Sequence, residues 1–266
     1  MTPQDHEAAA KALLDAEGNG QQIGLLSLQY PEISMDDAYA VQKAIYRTKL
    51  ERGRRIVGWK IGLTSKAMQS ALGIDVPDSG ILFDDMLFDN GATVPAGRFI
   101  QPRVEAEIAF VMKSEVGSAN VTRANVIAAT DYVAPAVEIL DTRILRKDPA
   151  TGQARNVFDT ISDNAANAGV VLGAQRHSPN AFDLRWVGAI ARKNGIVEET
   201  GLGAGVLDDP VESVVWLARR MAQYGQGIAA GQIILSGSFI RPIECQSGTQ
   251  VRVDFADFGA VDINFA

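Results

Sequence analysis

The chain has 266 residues, 47% of them hydrophobic and 21% charged, which is enough for one sizeable buried core. Its net charge of -7 leaves no basic surface to neutralise phosphates and argues against a nucleic-acid partner. A single cysteine, Cys245, excludes an internal disulfide framework, and the two histidines, His6 and His177, lie in segments unlike a catalytic pocket. That scarcity argues against a His-based triad, a His-rich zinc site and a histidine general base.

The N-terminal segment carries charges throughout and lacks the apolar centre of a signal peptide. No stretch reaches the roughly 20 apolar residues of a membrane span, so a cytoplasmic protein is expected. The first fifty residues read as helical. Ser34 and Asp37 form a capping pair, Ala38, Val41, Ile45 and Thr48 recur at helical spacing, and Gly53 closes the element. A strand follows over 56–63, and Thr64 or Ser65 caps a short helix ending at Gly73. Asp78 reads as a turn residue within 76–80. Strands are expected at 104–112 and 134–141, with a helix over 122–130 between them.

Residues 142–168 read as one long polar segment in which Asp163 and Asn164 are turn residues, and a loop of that length tends to be functional or disordered. Strands at 169–173 and 184–193 come next. Asp209-Pro210-Val211-Glu212 is a helix start, with Asp at the N-cap, Pro at N1 and Glu at N3. Val214, Leu217, Ala218 and Met221 form the apolar stripe of that helix and Gly225 stops it. Strands at 232–235, 251–255 and 261–265 complete the chain. Because strands and helices do not alternate regularly, the class is α+β with a mostly antiparallel sheet.

Glu105 and Glu107 fall on one face of their strand, about 6–7 Å apart at Cα, and converge on a cation placed between them. A solvated sheet face satisfies the same E-x-E pattern. Glu138 sits in the apolar run Ala134-Pro135-Ala136-Val137-Glu138-Ile139-Leu140, where a carboxylate is costly unless it is paired or bound to metal. Oxygen ligands of this kind suit Mg²⁺ or Mn²⁺. Lys60 shares a strand face with Gly58 and Gly62, which leave room for a ligand, although a snorkelling surface lysine fits as well. The helix start at Thr64 and Ser65 offers N–H groups to a carboxylate. The Ser236-Gly237-Ser238 segment either binds a carboxylate or forms a bulge.

The strings GWKIGLTSKAMQSALGIDVPDSGILFDDM, PRVEAEIAFV, PAVEILDTR, FDTISDNAANAGVVLG and GQIILSGSFIRP occur in this order along nearly the whole chain. Together they resemble the hydratase and decarboxylase branch of the fumarylacetoacetate hydrolase superfamily. The resemblance implies a mixed β-roll with an N-terminal helical part, and a homo-oligomer. Residues 1–75 would form the mainly helical part carrying the Lys60 strand, and 76–266 the catalytic core. It implies a metal held by Glu105, Glu107 and Glu138, with Lys60 catalytic and Asp78 assisting. Thr64, Ser65, Asn164, Ser236 and Ser238 are the expected substrate contacts.

The implied activity is Mg²⁺-dependent hydration of a 2-hydroxy-2,4-dienoate or 2-oxo-enoate in aromatic catabolism, with a seven-carbon dioate as the expected substrate. Decarboxylation of 2-oxo-3-hexenedioate and hydration of 2-hydroxypenta-2,4-dienoate are the alternatives, and an inactive metal- or oxo-acid-binding partner subunit is a reading of a different class. The family's hydrolases use a His–Glu pair, and this chain has no histidine in a matching segment, which disfavours a hydrolase.

Overall fold

The computed structural model describes residues 1–66, 69 and 76–266. The helix expected to end at Gly73 lies largely outside them. Helix α1 (Pro3–Asn19) opens on a capping box between Thr2 and Asp5 and ends at Gly20, whose φ of 70° is left-handed. A short turn of helix, α2 (Leu26–Gln29), leads to α3 (Met35–Glu51), which starts at the expected Ser34–Asp37 box. Ala9, Ala10, Leu13 and Leu14 of α1 pack on Val41, Ala44 and Ile45 of α3, with Ile144 from the middle of the chain joining them.

The remaining elements are α4 (Arg123–Ala129), α5 (Val157–Ser162), α6 (Pro210–Gln223) and two sheets. The larger sheet runs β2 (Asp78–Phe83), β1 (Ile56–Gly62), β10 (Ile233–Leu235), β5 (Arg103–Met112), β6 (Thr130–Leu140), β7 (Asn167–Leu172) and β3 (Leu87–Phe88). A two-residue strand, β11 (Ile243–Glu244), also pairs with β5. The smaller sheet runs β4 (Thr93–Val94), β13 (Ala260–Phe265), β12 (Gln250–Asp254), β8 (Gly188–Lys193) and β9 (Ile196–Leu202). Most pairs are antiparallel, and β1 with β10 is one of the parallel exceptions. Ile108, Phe110, Val137 and Ile139 of the large sheet share one core with Val253, Val261 and Ile263 of the small one and Val214 and Leu217 of α6. The strand carrying Lys60 lies inside the large sheet, between β2 and β10.

Three local expectations are corrected. Asp78 opens β2 rather than a turn, because its backbone pairs with Gly62 across the β1–β2 ladder. Residues 142–168 are not one loop: they contain α5, capped by the Asn156 side chain, and a 3-10 turn over Asn164–Ala166. Six helical residues are too few to display a 3.6-residue period, so composition alone hid the element. Residues 184–186 form a 3-10 turn, and β8 begins at Gly188.

Candidate metal centre and proton-transfer site

The β5–β6 ladder sets Glu105 opposite Glu138, while Glu107 lies opposite Ala136. Alternation turns Glu105 and Glu107 to the same side, so the three carboxylates converge, each offering an oxygen within 4.8 Å of the others. Glu107 and Glu138 are fully buried and Glu105 is half-buried. Among the described residues Glu107 Oε1 and both Glu138 oxygens have no hydrogen-bond partner. Leaving such atoms unpaired costs about 1–3 kcal/mol each, more when charged. The cluster therefore fits a divalent cation with hard oxygen ligands, to which each of the three glutamates would offer one oxygen.

Burial raises all three carboxyl pKa values. Glu105 is pushed up to about 8, first by burial and then by the charge of Glu138. Glu107 stands well above its ordinary range for the same reasons, with the charge of Glu105 added. Its one fixed donor is the backbone N–H of Gly237, which reaches Glu107 Oε2 at 2.7 Å. Gly237 has φ 116°, and a Cβ there would lie 2.4 Å from Thr64 Oγ1, so only glycine serves this position.

Lys60 is 4% exposed, and its Nζ stands 3.6 Å from Glu138 Oε1. Burial acts to lower its pKa, but the charges of Glu138, Asp78 and the other two glutamates outweigh it and hold the ammonium charged. Asp78 is buried beside it with Oδ1 unpaired, and burial raises its pKa against the pull of Lys60. Gly62 makes the juxtaposition possible: a Cβ there would lie 2.2 Å from Asp78 Oδ1 and 3.1 Å from Lys60 Nζ. Gly58 has a different use. The space of its missing side chain is filled by the backbone of Ile233, 1.9 Å from where a Cβ would sit.

The five expected substrate contacts divide. Thr64 is buried beneath Gly237 and its carbonyl accepts from Leu207 N–H. Ser236 follows the Lys60-paired Leu235, with its hydroxyl buried and unpartnered. Ser65 is half-buried at the start of the partly described segment. Asn164 has both ends of its amide on the backbone of Ile81, at 2.8 and 2.9 Å. The Ser238 hydroxyl donates to Ile240 O and accepts from Ile240 N–H within its own turn. Sequence reasoning missed the Gly237 amide, although its place between two serines after an apolar strand is the type of signal that marks a backbone donor.

Fold and site define a class: an α+β roll with a buried carboxylate triad and an adjacent charged lysine is built for divalent-metal chemistry on a small anion. The chain is 49% identical over 260 residues to the 2-oxo-hept-4-ene-1,7-dioate hydratase of Escherichia coli, covering 98% of this chain and 97% of that one. It is 40% identical over 265 residues to a 2-keto-4-pentenoate hydratase of Paraburkholderia xenovorans strain LB400, covering 100% and 96%. The fold matches the 4-oxalocrotonate decarboxylase of Pseudomonas putida G7, solved with magnesium and adipate, at TM-score 0.93 and 34% identity over 100% and 99% of the two chains. No family model matches the sequence. The chain belongs to the hydratase and decarboxylase branch of the fumarylacetoacetate hydrolase superfamily.

Proposed function

We propose that the chain is a Mg²⁺-dependent hydro-lyase of aromatic catabolism that converts 2-oxohept-4-ene-1,7-dioate to 4-hydroxy-2-oxoheptanedioate. The observation carrying this reading is the near-full-length 49% identity to the E. coli hydratase together with the convergent Glu105, Glu107, Glu138 and Lys60. Glu105, Glu107 and Glu138 would hold the cation. When bound, it supplies Lewis-acid stabilisation of negative charge developing on the 2-oxo acid.

The chain's own groups do the rest. Lys60 Nζ is the proton carrier: the 2-oxo-4-ene enolises to the 2-hydroxy-2,4-dienoate by moving a C3 proton to the C2 oxygen, C5 then gains a proton as the 2-hydroxyl gives one up, and water adds across C3=C4 with its hydroxyl on C4 and its proton on C3. Asp78 Oδ1, against Gly62 beside Lys60 Nζ, relays protons to that amine. The unpartnered Ser236 hydroxyl, with Thr64 and Ser65, orients the substrate carboxylate. Asn164 and Ser238 support this pocket through the backbone contacts they already make. A homo-oligomeric, cytoplasmic enzyme completes the reading; among the described residues no helix is long and apolar enough to cross a membrane.

The runner-up is decarboxylation of 2-oxo-3-hexenedioate, favoured by the TM-score of 0.93 to the P. putida enzyme. Proton NMR and CO₂ assays with Mg²⁺ separate the two. A 4-hydroxy-2-oxo product chiefly from 2-hydroxyhepta-2,4-dienedioate supports the hydratase. CO₂ from 2-oxohex-3-enedioate selects the decarboxylase, and a product chiefly from 2-hydroxypenta-2,4-dienoate selects the five-carbon hydratase. No Mg²⁺-dependent turnover of any of them removes the enzyme reading.

A further inference from the structure

Beyond Glu105 on the same strand face comes Arg103, one alternation step along β5 and opposite Leu140 of β6. Two residues past Leu140, the buried Thr142 accepts a 2.8 Å hydrogen bond from Arg155 Nη1 through its Oγ1. Arg155 is tied to the same corner by its backbone N–H on Arg146 O, at 3.0 Å. Three guanidinium groups thus gather at one end of the carboxylate cluster. A fourth, Arg143, is fully engaged by Asp163.

Their charges are poorly matched. Glu244, 52% exposed at its side chain, is the carboxylate that serves Arg146, and it stands 4.0 Å from Arg103 Nε. Arg103 Nε is buried with no hydrogen-bond partner. Among the described residues Arg155 has no carboxylate within ion-pair distance, and its side-chain partner is the neutral Thr142 hydroxyl. Both guanidinium side chains are at least half-buried. Arginine stays charged despite this, so the cost falls on the folded protein unless an anion arrives.

Glu107 and Glu138 are sealed, whereas Glu105 and Arg103 are half-buried, so among the described residues the carboxylate cluster is least covered along the Glu105–Arg103 face. The two-residue step from Glu105 to Arg103 spans about 6.6 Å along the strand, a separation that a seven-carbon chain is long enough to bridge. A monoacid anchored at the triad would end short of the arginines. A diacid anchored there would reach them.

We propose that Arg103 and Arg155 form the subsite for the distal carboxylate of a dicarboxylic substrate and so set preference for diacids over monoacids. This deepens the reading of the site as one acting on a seven-carbon dioate and rests on it. Arg155 donates from its fork to one carboxylate oxygen while Arg103 Nε, now unpaired, takes the other. Sequence gave no hint of Arg155, which lies in the polar segment before α5.

The test uses two unreactive probes, 2-oxoheptanedioate and 2-oxopentanoate, titrated calorimetrically into the full-length Mg²⁺-loaded protein. Wild type is expected to favour the diacid. Arg155→Gln should reduce that preference roughly 10- to 100-fold, the range for a charge-assisted pair, with Arg103→Gln acting in the same direction. Arg155→Lys, which keeps the charge and needs less repacking, should retain part of the preference and covers the case in which Arg155→Gln does not fold. Equal weakening of both probes, or a wild type without preference, overturns the proposal. The ratio of kcat/KM for 2-hydroxyhepta-2,4-dienedioate over 2-hydroxypenta-2,4-dienoate should fall with the binding preference. A wild type that prefers the diacid probe yet hydrates neither substrate would sink the hydratase reading while leaving the subsite standing.

Discussion

The metal-free protein should be stabilised by losing one of its own carboxylates. The Glu105 carboxyl stands at about 8 against an ordinary 4.5. Between those values the folded chain keeps a proton that the unfolded chain has released, so stability falls as pH rises, by about 1.4 kcal/mol per pH unit. The penalty is absent below the unfolded value and complete above the folded one. Glu105→Gln removes it, for a gain of about 3 kcal/mol near neutral pH and about 5 kcal/mol above pH 8. For a chain of this size that is a melting-temperature rise of about 6–12 °C near neutrality. Thermal melts in chelator across pH 4 to 9 supply the measurement, with the wild type run alongside. Saturating Mg²⁺ should raise the wild-type melting temperature much more than that of the variant. A variant no more stable than wild type at high pH, or a difference that does not grow with pH, would refute the idea that burial and mutual repulsion hold these carboxyls protonated.

Other expectations follow from the same geometry. Mg²⁺ binding near neutral pH should release protons, counted by calorimetry in buffers of different ionisation enthalpy, and the release should shrink as pH rises past about 8. Lys60→Ala should fold and bind Mg²⁺ yet lose about 10²–10⁴ in kcat, and near-normal turnover would remove Lys60 from the proton path. Gly62→Ala pushes a methyl into Asp78 Oδ1 and Lys60 Nζ, at 2.2 and 3.1 Å, and should lower kcat more than it raises KM in steady-state assays. Asn164→Ala leaves the Ile81 N–H without its side-chain acceptor and the Ile81 carbonyl with Asn167 Nδ2 as its remaining side-chain donor, and should cost about 1–3 kcal/mol in urea melts.

What the sequence made legible was the chemistry carried by local patterns. Two-residue alternation placed Glu105 and Glu107 together, and an apolar run made Glu138 conspicuous. The cap residues Ser34 and Asp209 announced their helices because a cap is a short-range interaction. Long-range register was not legible: nothing in either segment says that Glu138 faces Glu105 rather than Glu107. Gly58 and Gly62 look alike in the string, yet one admits a neighbouring strand and the other a carboxylate, a difference fixed by which strand lies beside each, β10 from far along the chain and β2 from the next element. Asn164 reads as a turn residue because its polar amide suits turns, but that amide completes the backbone pairing of Ile81.

The β5–β6 ladder runs from Arg103 opposite Leu140 to Met112 opposite Thr130. The three glutamates at the centre ride on these two antiparallel strands, so their spacing is inherited from the repeat of the sheet. A slip of one residue would turn Glu138 into the hydrophobic interior and dismantle both core and cage together. Drift in the metal cage is therefore closed to this lineage without loss of the fold. The segment that carries Arg155 lies outside that ladder, held by its own pairing of Lys147 with Ala154 and of the Arg155 N–H with Arg146 O, so it can change in sequence without shifting the carboxylates.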